Sequence, residues 1–277
     1  MADPDDSRDR TFVGVSGNPV PADSSTFASG PWTDTGTVDL PSETEGEPEA
    51  AAEIFGDRIH LARRYVFSLA SDGIVRGLIG PRESGRLWSR HLLNSAVVSA
   101  LLPRNGRVVD IGSGAGLPGI PLAIVLPHCE FFLVEPLERR TVFLRQVVTD
   151  LGLTNCRVVR GRADQVVSEC GNSDVVTSRA VAPLERLVTW SAPLLRFGGI
   201  LLALKGSSAA NEVARDRVAV TRSGLTDLEV LSVGSGLVEP ETVVIRGRRV
   251  AVADRDANNG SSQNYGKRAP RASRPRK

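Results

Sequence analysis

Between Val108 and Pro127 the chain reads VVDIGSGAGLPGIPLAIVLP, with glycines at three alternate positions, Gly112, Gly114 and Gly116, and an acid, Asp110, two residues ahead of them. Glycine accepts positive φ and lets a backbone approach a ligand with no Cβ in the way. The amides of such a turn, with the helix N-terminus that follows, suit a carboxylate or another small anion. A literal G-x-G-x-x-G at Gly114, Gly116 and Gly119 points by itself to a dinucleotide. Its phase is off, because the first glycine after the preceding strand is Gly112 and Leu117 then falls where the fingerprint needs its third glycine. Asp110 would repel a pyrophosphate, whereas it suits the ammonium of an amino-acid group, directly or through water.

Two further acids extend this pattern. Glu135 ends the next apolar run, about 20 residues on, where a carboxylate accepts hydrogen bonds from both hydroxyls of a ribose. Asp164, in GRADQV after the third run, suits an adenine amino group, with the Ala163 amide donating to a ring nitrogen. Together these residues describe a site for adenosine carrying an amino-acid tail, which is the chemistry of S-adenosylmethionine. A nicotinamide cofactor shares the ribose acid and stays open, as does a glycine turn that merely packs a helix onto a sheet. Cys129, Cys156 and Cys170 and the three histidines, His60, His91 and His128, have no metal-ligand spacing, so half-buried free thiols are expected and a metal site is not.

The elements that must position these residues follow from periodicity. Seven short runs read as strands, at 107–111, 130–135, 156–161, 174–180, 198–206, 225–233 and 241–247. Helical patterns separate most of them, the signature of a parallel sheet covered on both faces. The last two runs are joined by too little chain for a crossover helix and should pair antiparallel. Ahead of the sheet, 49–70 and Glu83 to Leu102 carry apolar residues at helical spacing, with Arg63 and Arg64 on the outer face. Trp88 and Trp190 fall in helical patterns as packing residues. The expected organisation is an acidic tail over 1–48, a helical unit over 49–104, an α/β domain over 105–250 and a basic tail over 251–277.

The tails differ in charge: residues 1–50 hold eleven acids against two arginines, and 257–277 hold six basic residues and no acid. Both are too poor in apolar residues to offset the entropy of ordering, so disorder is expected. The basic end suits loose contact with phosphate. No run reaches the roughly 20 apolar residues of a bilayer span, and the acidic start lacks the features of a signal peptide, so a cytoplasmic protein is expected.

RHLLNS (90–95), DIGSGAGLPGIPLAI (110–124), RTVFLRQV (140–147), SRAVA (178–182) and ALKG (203–206) occur in this order with short gaps. Over about residues 50 to 250 the chain resembles the bacterial ribosomal RNA small-subunit methyltransferase G family, also called glucose-inhibited division protein B. The resemblance implies a class I S-adenosylmethionine-dependent methyltransferase fold: a Rossmann-like, seven-stranded sheet with an antiparallel last strand. It also implies methyl transfer to N7 of a guanine, at position 527 in the 530 loop of 16S rRNA. Cofactor contacts at Gly112, Leu117, Glu135, Ala163, Asp164 and Arg179 carry over. The sequence departs from many members at Arg139, where they have a lysine.

Guanine N7 has an in-plane lone pair and no proton, so its methylation needs no general base and catalysis can come from alignment. No acid–base residue is therefore expected; Arg179, Lys205 and His91 are positioning candidates. Basic residues should face the RNA at the cofactor mouth: Arg90, His91, Arg139, Arg140, Arg179 and Lys205. Arg179 and Lys205 sit at carboxyl ends of strands, where open α/β sheets bind ligands. For His91 a structural role holding the helices on the sheet stands beside an RNA contact. For Arg139 and Arg140 a solvated helix start is the alternative. The partner implied is 16S rRNA in the 30S subunit or a precursor, with no obligate protein partner. A small-molecule methyltransferase, an NAD(P)-dependent oxidoreductase and a non-enzymatic ribosome-binding protein are the competing readings.

Overall fold

The β-branched runs become seven strands of one sheet in the computed structural model, which describes residues 43–251. They are β1 (Gly106–Ile111), β2 (Cys129–Glu135), β3 (Cys156–Arg160), β4 (Ser173–Arg179), β5 (Leu195–Lys205), β6 (Leu225–Val233) and β7 (Thr242–Arg249), in the spatial order β3-β2-β1-β4-β5-β7-β6. β1 to β5 pair in parallel, and β7 inserts between β5 and β6, antiparallel to both. The antiparallel pairing of the last two strands is as the short connection requires. The order reverses between β1 and β4, which opens a crevice at the carboxyl ends of the strands.

Among the described residues eight α-helical segments accompany the sheet: α1 (Glu49–Phe55), α2 (Ile59–Ser68), α3 (Asn94–Ala96), α4 (Gly119–Val125), α5 (Glu138–Asp150), α6 (Val167–Cys170), α7 (Leu184–Ser191) and α8 (Ala209–Arg222). The helix expected over 49–70 is broken at Gly56, whose φ of +50° ends α1. The helix expected from Glu83 to Leu102 follows a helical path but is α only at α3. It enters through a 3₁₀ turn, Pro81–Arg86, widens to a π-helical stretch, Leu87–Leu93, and tightens to a second 3₁₀ turn, Val97–Leu101. A 3.6-residue pattern does not resolve such changes of pitch. His91 lies in the π-helical stretch.

Each face of the sheet has its own core. Val108, Phe131, Leu133 and Val175 pack against Tyr65, Leu69, Trp88, Leu92, Ile120 and Phe143 from the N-terminal helices, α4 and α5. Val109, Phe132, Val134 and Val176 pack on the other side against Leu184, Leu187, Val213 and Val220 from α7 and α8. The N-terminal helices thus share the sheet's core and have none of their own. Residues 43–48, assigned from composition to the tail, already pair with these helices: the Ser89 amide donates to Glu45 Oε2 at 3.0 Å and Arg63 Nε to Glu47 at 2.6 Å. The rest of the acidic tail and nearly all of the basic one lie outside the described residues. No helix among the described residues is long and apolar enough to cross a membrane. Cys129, Cys156 and Cys170 are free buried thiols.

Candidate cofactor and acceptor site

β1 delivers the glycine turn to the crevice, and the amides of its three glycines are bonded inside the protein. Gly112 N donates to Val134 O at 2.8 Å, Gly114 N to Glu135 Oε2 at 3.0 Å and Gly116 N to Ser113 O at 2.7 Å. The expectation that these amides hold a carboxylate thus meets donors that already have partners within the protein. Positive φ is real at all three glycines, but the missing Cβ atoms serve packing. A Cβ at Gly112 would meet the Val181 side chain at 2.9 Å, and one at Gly116 would meet Ile120 at 2.3 Å and the Tyr65 hydroxyl at 2.9 Å. Gly112 and Gly114 line the crevice with Leu117; Gly116 lies behind the wall. Gly119, the last glycine of the out-of-phase motif, starts α4 where a Cβ would sit 2.4 Å from Leu133 and 2.7 Å from Asp110. It serves close helix–strand packing.

Asp110 is fully buried and lies behind the crevice wall, not on it. Two-residue alternation puts it on the same face as Val108, beneath the start of α4. Its Oδ2 accepts from Gly119 N at 3.1 Å, while Oδ1 has no partner. Burial pushes its pKa up to about 7. Because the folded-state pKa lies above the unfolded one, its stabilising protonation is present at low pH and is lost as pH rises through 7. Wild type should lose about 1 kcal/mol from this group between pH 6 and pH 8.5. Asp110→Asn should lack that loss in urea unfolding at the two pH values; equal slopes would mean that Asp110 stays ionised throughout.

The crevice is a cavity of about 700 Å³ across the ends of β3, β2, β1 and β4. Ala163 and Asp164 line its β3 end, Glu135 its centre, and Gly112, Leu117, His91 and Arg179 the far end. Glu135 accepts from Gly114 N through Oε2 and from Leu137 N through Oε1, each at 3.0 Å, with Arg140 Nη1 at 3.6 Å. Each oxygen keeps a lone pair for a further donor. Asp164 is exposed and sits 3.3 Å from Arg162 Nε. Trp190, expected to be packing, borders the cavity, whereas Trp88 is buried in the core.

A second cavity, of about 1060 Å³, opens over the ends of β4 and β5 and the start of β7. Arg179, Ala180 and Val181 line both cavities and form the wall they share. Ala180 holds φ at +53°, rare without glycine, at the point where the chain turns from β4 along that wall.

The two basic strand ends point to opposite faces. Arg179 shares the face of Val175 and reaches the N-terminal helices, where Nη2 lies 2.7 Å from His91 Nδ1 and Nη1 lies 3.4 Å from both His91 O and Ser95 Oγ. Lys205 takes the other face and is closed off: Nζ donates to Ala182 O and to Glu212 Oε2, each at 2.8 Å. Only 9% of its side chain is exposed; it lines the second cavity while its ammonium braces the 182–184 segment, whose Leu184 amide also donates to Glu212. His91 is buried with both ring nitrogens engaged, Nε2 lying 2.9 Å from Glu83 Oε2, the contacts that its structural reading calls for. Arg90 is exposed and lines the second cavity, 3.4 Å from Glu83. Arg140 borders the first cavity, and Arg139 is exposed and lines neither. Sequence reasoning did not single out Glu83, Ser95, Val181 or Glu212; the face alternation of β4 and β5 is the signal that leads to their neighbourhoods.

A seven-stranded sheet with one reversed strand, a glycine turn after β1 and an acid ending β2 define a class I S-adenosylmethionine-dependent methyltransferase fold. S-Adenosylmethionine is the methyl donor of this class. The GidB family model, described as rRNA small subunit methyltransferase G, matches residues 58–241, and the chain belongs to that family. Among curated relatives, ribosomal RNA small subunit methyltransferase G of Rhodococcus jostii is 57% identical over 206 residues, 74% of this chain and 90% of the relative. The protein of the same name from Mycolicibacterium gilvum is 47% identical over 224 residues, 80% of this chain and 98% of the relative.

Proposed function

We propose that this protein transfers the methyl group of S-adenosylmethionine to N7 of a guanine in the 530 loop of 16S rRNA, acting in the cytoplasm on the 30S subunit or a precursor of it. The observation that carries the reading is the pair of adjoining cavities divided by Arg179, Ala180 and Val181, one graded along the strand ends for adenosine and an amino-acid tail, the other open for a base. Family membership supplies the substrate class.

In the first cavity Asp164 and the Ala163 amide face the adenine, Glu135 accepts from the ribose hydroxyls and Arg179 meets the tail carboxylate. Bound there, S-adenosylmethionine supplies an electrophilic methyl. The chain's task is alignment, because N7 has no proton to remove. Lys205 and Glu212 hold the 182–184 segment beside the acceptor cavity, and Arg86 and Arg90 at its rim suit phosphate. The 530-loop base has to be presented out of its stack to enter.

The test is incubation with methyl-labelled donor and 30S subunits from cells lacking the homologous enzyme, with the product mapped by borohydride–aniline cleavage. Label at N7 of one guanine is expected, and none on wild-type subunits already modified. Absence of label from 30S subunits, their precursors and protein-free 16S rRNA alike would overturn the assignment.

A further inference from the structure

Arg179 is held from behind by a chain of contacts that begins outside both cavities. Glu83 sits in the 3₁₀ turn Pro81–Arg86, His91 in the π-helical stretch after it, and Arg179 at the end of β4, so three elements meet at one guanidinium. A guanidinium only donates. His91 Nδ1, 2.7 Å from Arg179 Nη2, must therefore be the bare, accepting nitrogen, and the ring proton sits on Nε2 and is donated to Glu83 Oε2 at 2.9 Å. Burial and the charge of Arg179 push the His91 pKa down to about 4, so the ring is neutral and able to accept.

The guanidinium's own donors show where it is aimed. Nη1 reaches His91 O and Ser95 Oγ, and Nη2 gives one hydrogen to His91 Nδ1. Nε–H and the second Nη2 hydrogen remain. These two lie parallel along one edge of the guanidinium, the arrangement that matches the two oxygens of a carboxylate. That free edge is what Arg179 has left to offer the cavities it borders. In the first cavity the amides of Gly112 and Gly114 are already engaged, so a carboxylate at that end is served by the cationic edge of Arg179.

We infer that Glu83 and His91 are positioning residues for methyl transfer: through the Nε2–H tautomer of a neutral His91 they fix Arg179 so that its free edge faces the carboxylate of the cofactor's amino-acid tail. This rests on the reading of the first cavity as the cofactor site. Glu83, also 3.4 Å from Arg90 Nε, is tethered on its own side and sets the ring angle. Without Glu83, His91 can flip or change tautomer, turning N–H toward Arg179 in place of a lone pair.

The experiment compares two thioethers by calorimetry: S-adenosylhomocysteine, which carries the amino-acid tail, and 5′-methylthioadenosine, which lacks it. His91→Phe keeps a planar ring without nitrogens and should weaken S-adenosylhomocysteine roughly 10-fold while 5′-methylthioadenosine stays within about twofold. Glu83→Gln, at a half-buried position, keeps the side chain's size and an oxygen to accept from His91 Nε2, and should move the first ligand about 3-fold in the same direction. Parallel weakening of both ligands, or no change in either variant, would overturn the inference. If His91→Phe does not fold, Glu83→Gln alone decides it by the same criterion. Wild-type protein that binds neither thioether would overturn the cofactor reading and this inference with it; loss of tail discrimination in the variants alone sustains the inference whatever the RNA substrate proves to be.

Discussion

Arg179→Met is expected to weaken S-adenosylhomocysteine on the order of 100-fold, the loss of two charge-assisted bonds to one carboxylate. Methyl transfer at limiting donor should fall at least as far. Methionine preserves the length and much of the apolar packing of the stem, so the change is confined to the guanidinium. It also leaves His91 Nδ1 and Ser95 Oγ without their donor, a cost of about 1–3 kcal/mol in stability that a melting curve separates from the binding loss. Arg179→Lys should not restore binding, because an ammonium is a point charge without a planar fork. Full activity in the lysine variant would show that only positive charge is needed at the shared wall.

Gly116→Ala should be the most destabilising single methyl in the glycine turn. Its φ is +101°, and the added Cβ would stand 2.3 Å from Ile120 and 2.9 Å from the Tyr65 hydroxyl, which is itself bonded to Ala115 O at 2.8 Å. Backbone strain and overpacking together cost about 3 kcal/mol, a drop in melting temperature on the order of 10 °C for a domain of this size. Gly114→Ala is the matched control. It has φ +60° and no atom nearer than 3.8 Å outside its neighbours, so it should cost only about 1–2 kcal/mol. Equal losses would mean that φ alone governs the turn and that the contact with Tyr65 and Ile120 yields freely.

The seven strands and the reversal near the end could be read from periodicity because each strand is a separate apolar run with β-branched residues and its own turn signals. Which face a polar residue takes was equally present in the sequence but harder to use. Two-residue alternation from Val108 puts Asp110 under α4, and from Val175 puts Arg179 toward the helices; an acid before a glycine turn nonetheless invites a ligand, and residue type alone does not show that a helix start covers it. Position at a strand end likewise says nothing of a partner such as Glu212, seven residues on from Lys205 in another element. The glycines were identified as special, but their reason lies in Val181, Ile120 and Tyr65, residues remote in the chain. Glu83 left no signal, since a glutamate in a polar turn resembles a solvated surface charge until the fold brings His91 beneath it.

Tyr65, His91 and Ser95 come from the N-terminal helices, yet one touches the glycine turn and two hold Arg179. The consequence is one of interchangeability. Sheets of this architecture are attractive parts for chimeras, in which a ligand-binding core is joined to a foreign recognition segment. Here the cut cannot fall before β1, because the piece left behind would carry off the anchors of its own arginine. A workable graft keeps everything from Glu45 through β7 as one part and varies only the loop residues that line the second cavity, 206–208 and 239–241, leaving α8 and β6 in the core and Glu212 on Lys205.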